Sequence, residues 1–178
     1  MKINKNFIKL FTVLICVLCL TFSAAAQKRR AMGKRTKTPV SSTSSMTSFE
    51  LKAGAQKVST QIKNVSKFIY NLGGVARVIE DLDREIAAKK ASSSAPELNA
   101  KNKQAVVSTI KNLRAGLAAL EIEFRTKPGL KNYLFQIQGI ADMTGLAEDQ
   151  ATAGQLTQSG KTLLLVVEKL SDTLAALP

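Results

Sequence analysis

The chain contains no histidine and no tryptophan, and its two cysteines both lie within the first twenty residues. Without histidine there is no His-ligated zinc or haem, no His-containing di-iron bundle motif and no Ser-His-Asp triad. Aromatic residues make up only 5% of the chain, so a core must be built from Leu, Ile, Val and Ala. That composition suits interdigitating helices better than a sheet rich in β-branched and aromatic side chains. Cys16 and Cys19 sit inside an apolar run, Leu14 to Leu20, and not at a helix start beside a βαβ unit, which argues against a redox pair. Ile15 and Leu18 occupy the positions where a lipoprotein signal needs a small residue before its cysteine.

What is present at the N-terminus is the pattern of an export signal. Lys2, Lys5 and Lys9 precede the uncharged run of residues 10–22, and Ala24-Ala25-Ala26 supplies a small-x-small cleavage pattern before Gln27. As a helix this run reaches roughly 20 Å, short of the roughly 30 Å of a hydrocarbon core. Residues 1–26 are therefore expected to be a cleavable signal peptide, and the protein periplasmic or secreted. Cleavage would leave a chain with no thiol and hence no disulfide or Cys-based chemistry.

Lys28, Arg29, Arg30, Lys34, Arg35 and Lys37 follow at once. Basic residues on that flank oppose translocation, so an uncleaved anchor with a cytoplasmic body is the alternative. Removing the three signal lysines lowers the formal charge from +13 to +10, and these six cations carry more than half of the remainder. With the Ser/Thr run that follows, residues 27–47 read as a disordered basic linker. The six cations are the candidate anionic-surface site, for lipid headgroups, lipopolysaccharide or nucleic acid. No aromatics are interleaved with them, so sequence-specific nucleic-acid reading is not expected.

From residue 48 to 178 the pattern is helical. A Thr47-x-x-Glu50 capping box opens a seam of Leu51, Ala55, Val58, Ile62, Val65, Ile69, Leu72, Ala76 and Ile79, spaced alternately by four and three. Leu82 and Ile86 extend it to Lys89-Lys90, whose charges suit a helix C-terminus. Gly73-Gly74 interrupts the seam and predicts a bend or the close approach of another helix. The alternative is a first segment that folds over the bundle as two helices.

After Ser92 to Pro96, a second helix starts at Ser94-x-x-Glu97 or at Pro96, with a seam of Val106, Ile110, Leu113, Leu117, Leu120 and Phe124. Pro128-Gly129 ends it. A third follows through Leu130, Leu134, Ile137, Ala141 and Thr144 to a C-cap at Gly154. Thr157 is the expected cap of a fourth, with Gly160, Leu163, Val167, Leu170, Leu174 and Leu177 on its seam. The expectation is an all-α, up-down-up-down four-helix bundle with a long, kinked first helix, preceded by a signal peptide and a disordered basic tail.

Three candidate sites have ordinary structural explanations. Gly160-Lys161-Thr162 ends a stretch that resembles a phosphate-binding loop, but five residues separate its glycines instead of four and no strand precedes it. Glu80, Asp81, Asp83 and Glu85 form an acidic cluster, but Glu80–Arg84 and Arg77–Asp81 spacings describe a salt-bridged surface. Tyr70, Tyr133 and Phe135 are isolated aromatics, expected to be core or groove residues and not a ligand cage. Catalytic, cofactor and metal residues are therefore all expected to be absent. The leading expectation is a non-enzymatic exported bundle that binds or scaffolds an envelope or extracellular macromolecule, with a protein or an anionic component as partner. The alternatives are an anionic-surface binder acting through the basic tail and a periplasmic helical chaperone. Membrane contact is expected only through the tail or an uncleaved signal.

Overall fold

The computed structural model describes residues 42–178, with side chains from Ser45 onward. The signal segment, Cys16, Cys19 and the basic run from Lys28 to Lys37 lie outside the described residues. All regular structure among the described residues is helical: α1 (Ser42–Ala87), α2 (Ala95–Thr126), a 3-10 turn (Lys131–Tyr133), α3 (Leu134–Ile137), α4 (Ile140–Thr152) and α5 (Leu156–Ala176). Four of these elements are long. α1 packs on α2 and α5, and α4 packs on the same two, which closes a ring around one core.

The seven-residue period predicted for α1 is what the core uses: Val58, Val65, Leu72 and Ile79 are buried. α2 contributes Val106, Ile110, Leu117, Leu120 and Phe124, the last being the largest fully buried side chain. Contacts between α1 and α2 fix their relative direction. Glu50 near the start of α1 meets Gly129 beyond the end of α2, while Asp83 near the end of α1 meets Asn99 in the first turns of α2. The contacts fit the expected up-down-up-down order.

α1 is unbroken through Gly73-Gly74. A Cβ added at either glycine would meet nothing within 4 Å among the described residues, so close approach of another described helix is not what requires them. The alternative of two separate helices is not seen.

The helix starts differ from expectation. α1 begins at Ser42, upstream of Thr47, so Thr47 is a helical residue and the Thr47–Glu50 box does not open the helix. Ser and Thr disfavour a helix by only tenths of a kcal/mol each, which lets it run outward past the apolar seam. Glu50 is turned instead to the Gly129 amide. Ser94 is the N-cap of α2, but its side chain makes no cap hydrogen bond. Glu97 is taken by Lys101 Nζ at 2.8 Å, whose hydrogen bond and charge hold the Glu97 carboxyl below its usual range. Pro96 does occupy the first turn. Thr157 lies inside α5, which starts at Leu156 after Gln155.

The third limb is interrupted as well. The sequence pattern predicts one helix from Leu130, whereas the chain makes the 3-10 turn, the four residues of α3, and then a break at Gly139. Gly139 has φ +89°, a left-handed conformation that a Cβ makes costly. The break lets Ile137 and Ile140, on either side of it, both be fully buried. Gly154 terminates α4 as predicted, with φ +79°. Its amide bonds to Ala151 O at 3.0 Å and that of Gln155 to Gln150 O at 2.8 Å, the two bonds of a Schellman motif.

On α5 the buried stripe is broader than the leucine seam and turned from it. Val166 is fully buried and Val167 only half. Ser159, Thr162 and Thr173 join the buried face. Their hydroxyls reach Ala147 O, Gln150 Oε1 and Lys169 O at 2.7, 2.8 and 2.8 Å, so they enter the interior without losing a hydrogen bond.

Candidate functional site

Two packing demands on α3 place an exposed aromatic residue beside an open groove. In a single turn, Leu134 and Ile137 are three apart and share the inner face. Ile137 is fully buried and Leu134 packs half-buried against the core. Phe135 is thereby forced outward and is 85% exposed. It borders an open groove of about 550 Å³, shared with Gln136, Gln138, Gly139 and, from α5, Lys169 and Asp172. Gln136 Oε1 is buried and has no hydrogen-bond partner. A buried amide oxygen without a donor costs about 1–3 kcal/mol, but this atom has no accessible surface and is not itself open to a ligand in the groove. The groove thus joins an apolar ring, an ammonium, a carboxylate and amides. This set can hold a polar or peptide-like group, and it contains no nucleophile–base pair.

A second groove lies between α1 and α2, lined by Lys57, Thr60, Gln61, Gly116, Ala119, Leu120 and Glu123. Lys57 bridges it to Glu123, whose other oxygen accepts Lys127 Nζ at 2.9 Å. Burial alone would raise the Glu123 carboxyl. The hydrogen bonds and charges of Lys127 and Lys57 outweigh that and hold it below the usual carboxylate range. This groove is already occupied by its own ion pairs.

The phosphate-loop resemblance ends in ordinary helix geometry. Gly154 closes α4, Gly160 to Thr162 lie within α5, and Thr162 Oγ1 donates to Gln150. Glu80 lines the groove beside Gly154 and Gln155, and its carboxylate would repel a phosphate. The acidic cluster is dispersed: Arg84 pairs with Asp81 at 3.2 Å, in place of the expected Glu80–Arg84 and Arg77–Asp81 pairs. Asp83 accepts Lys103 Nζ at 2.8 Å and Asn99 Nδ2 at 2.6 Å. Among the described residues no group of three or more His, Cys, Asp or Glu side chains is placed to hold a metal.

Of the three aromatics, Phe135 is a groove residue, Tyr133 is half-buried against the core, and Tyr70 is 85% exposed on α1, contrary to the expectation of a core or groove position. The six tail cations Lys28, Arg29, Arg30, Lys34, Arg35 and Lys37 lie outside the described residues. Gln136, Gln138, Lys169 and Asp172 escaped sequence reasoning. The available signal was Gly139 inside a helical pattern, with Phe135 off its seam. The chain has no significant match among protein-family models, curated proteins or solved structures. Among the described residues no helix is long and apolar enough to cross a membrane.

Proposed function

We propose that this protein is a non-enzymatic binding module: an up-down-up-down helical bundle that is exported, acts in the periplasm or outside the cell, and engages an envelope or extracellular macromolecule through the groove at Phe135. The observation that carries the reading is the outward phenyl ring of Phe135 on a groove that Lys169 and Asp172 also line. The ring is turned away from the core, and with the ammonium and the carboxylate of that groove it provides an apolar anchor and polar groups, the usual composition of a recognition site. Loops and element ends on a rigid scaffold are where such residues collect.

The test places a photo-crosslinking residue at position 135 and, as control, at Lys111, in the full-length gene expressed in a Gram-negative host. Fractions are then separated and intact masses measured. The expected result is a periplasmic or released species beginning at Gln27, with one dominant adduct from position 135 that Lys169→Glu abolishes and position 111 does not give. A body confined to the cytoplasm overturns the export part of the reading. An adduct pattern common to both positions overturns the groove.

A further inference from the structure

The outward face of α1, opposite its buried seam, carries charges that are self-complementary about one residue. Lys63, Lys67, Gly74, Asp81 and Glu85 are all exposed. At 3.6 residues per turn, positions seven and eleven residues from Gly74 fall within about 20° of it around the helix. Lys67 and Asp81 are each seven residues from Gly74, and Lys63 and Glu85 are each eleven. The two lysines lie on one side along the axis and the two carboxylates on the other. Tyr70, 85% exposed, and Val78, 52% exposed, flank the same centre at four residues on either side. Among the described residues the glycine has open space above it, since a Cβ there would meet nothing within 4 Å. Nothing among the described residues accounts for a glycine pair that disfavours the helix.

We infer that this face is the interface of a two-fold symmetric homodimer in which α1 of one copy crosses α1 of the other, antiparallel, at Gly74. A two-fold axis through that crossing sets Lys67 of each copy opposite Asp81 of its partner copy, and Lys63 opposite Glu85. That is the self-complementarity an isologous contact requires. The same axis brings Tyr70 of one copy beside Arg77 of the other, where the guanidinium can lie on the ring. The bare Gly74 backbones allow the two axes to approach closely at the crossing. Parallel pairing in register would set lysine on lysine and carboxylate on carboxylate. An anionic surface would meet Asp81 and Glu85 along with the lysines, so the alternation of sign within the face favours a second copy. Asp81 is engaged by Arg84 within its own helix, through a pair whose side chains are 67% and 77% exposed. Such a surface pair is weak enough to exchange partners.

The experiment is sedimentation equilibrium on the protein purified after expression of the full-length gene, across about 1 to 200 µM, where mass action makes a dimer concentration-dependent. The expected result is a monomer–dimer equilibrium that weakens with added salt. Lys67→Asp and Asp81→Lys each place like charges across the contact, and each is expected to weaken dimerisation at least about tenfold, roughly 1.4 kcal/mol. Mixing these two variants in equal amounts restores dimers, because the two introduced charges, which are opposite in sign, then face each other, while the unaltered Lys67 of one copy faces the unaltered Asp81 of the other. Gly74→Arg abolishes the dimer while circular dichroism shows helicity retained or raised, since the position is open. A protein that stays monomeric throughout this range overturns the inference. So does a dimer indifferent to all three substitutions, or one that the mixture fails to restore. None of these results bears on the Phe135 groove, which lies on α3 and α5.

Discussion

The Glu50 carboxylate on α1 accepts a hydrogen bond from the backbone amide of Gly129, 79 residues along the chain, at 2.7 Å. This contact seats the start of α1 on the turn that ends α2. The seat is tight: a Cβ on Gly129 would stand 2.8 Å from Glu50 Oε2 and 3.0 Å from the Thr47 carbonyl oxygen. One of those neighbours is backbone, which cannot rotate away.

Gly129→Ala is therefore expected to destabilise the bundle by about 1–3 kcal/mol, the range for overpacking a closed contact. Glu50→Ala is expected to cost a similar amount, about 1–3 kcal/mol, by leaving the buried Gly129 amide without an acceptor. Urea unfolding followed by circular dichroism measures both. If the two effects share one contact, the double variant will be less destabilised than the sum of the singles.

A second expectation concerns the end of α1. Lys89 is the one residue other than glycine with positive φ among the described residues, at +55°. Its amide bonds to Ile86 O and that of Lys90 to Glu85 O, each at 3.0 Å. This is the same Schellman pattern that Gly154 closes on α4. A side chain in that conformation costs roughly 1–2 kcal/mol, against about 0.5–1 kcal/mol of extra chain entropy lost by a glycine. Lys89→Gly should thus raise stability by about 0.5–1 kcal/mol, and Gly154→Ala should lower it by about 1 kcal/mol. Thermal midpoints moving in opposite directions would bear this out.

Acid should loosen the α1–α2 contact through Glu123. Its folded-state carboxyl lies below the ordinary value of 4.5 because Lys127 and Lys57 outweigh its burial. A depressed carboxyl contributes stability that is fully present above the unfolded-state value and is lost as pH falls through the folded one. Glu123→Gln should therefore cost up to about 1 kcal/mol at pH 7. Its difference from the parent should shrink toward zero as pH falls from the ordinary carboxylate range to well below it. Urea midpoints at a series of pH values test this, and a gap unchanged at acid pH would place the effect in packing instead.

The parts of the fold that could be read from the residues were those governed by apolar period and by strong backbone signals. Val58, Val65, Leu72 and Ile79 repeat every seven positions because one face must stay dry. Pro96, Gly129 and Gly154 mark turns by their own backbone chemistry. Side-chain caps were less legible, since the hydroxyls of Thr47 and Thr157 have helical positions open to them as well as cap positions, and tertiary packing decides between the two. The α5 face was misread because Ser159 and Thr173 look polar in sequence yet spend their hydroxyls on helix carbonyls. The groove at Phe135 depends on the left-handed turn at Gly139 and on Lys169 and Asp172, some thirty residues on, a juxtaposition no local pattern encodes. The glycine pair on α1 was visible, but the open space above it was not.

The last expectation tests the polar cluster that joins the ends of α1 and α2. Asn99 is 3% exposed, gives its amide hydrogen to Asp83 at 2.6 Å, and leaves its own Oδ1 buried without a partner. Turning the amide over would not help, because it would set that oxygen against the Asp83 carboxylate. Asp83 also holds Lys103 at 2.8 Å. Asp83→Ala strips the donor of its acceptor and is expected to cost about 1–3 kcal/mol. Asn99→Leu removes the stranded oxygen and the dependent donor together and adds apolar area at a buried site, so it should be close to neutral or stabilising. In the Asn99→Leu background, Asp83→Ala should then cost only what the exposed Lys103 pair is worth, under about 1 kcal/mol. A double-mutant cycle by urea unfolding reads the difference. If Asp83→Ala costs the same in both backgrounds, the Asn99–Asp83 bond does not hold the two helix ends together.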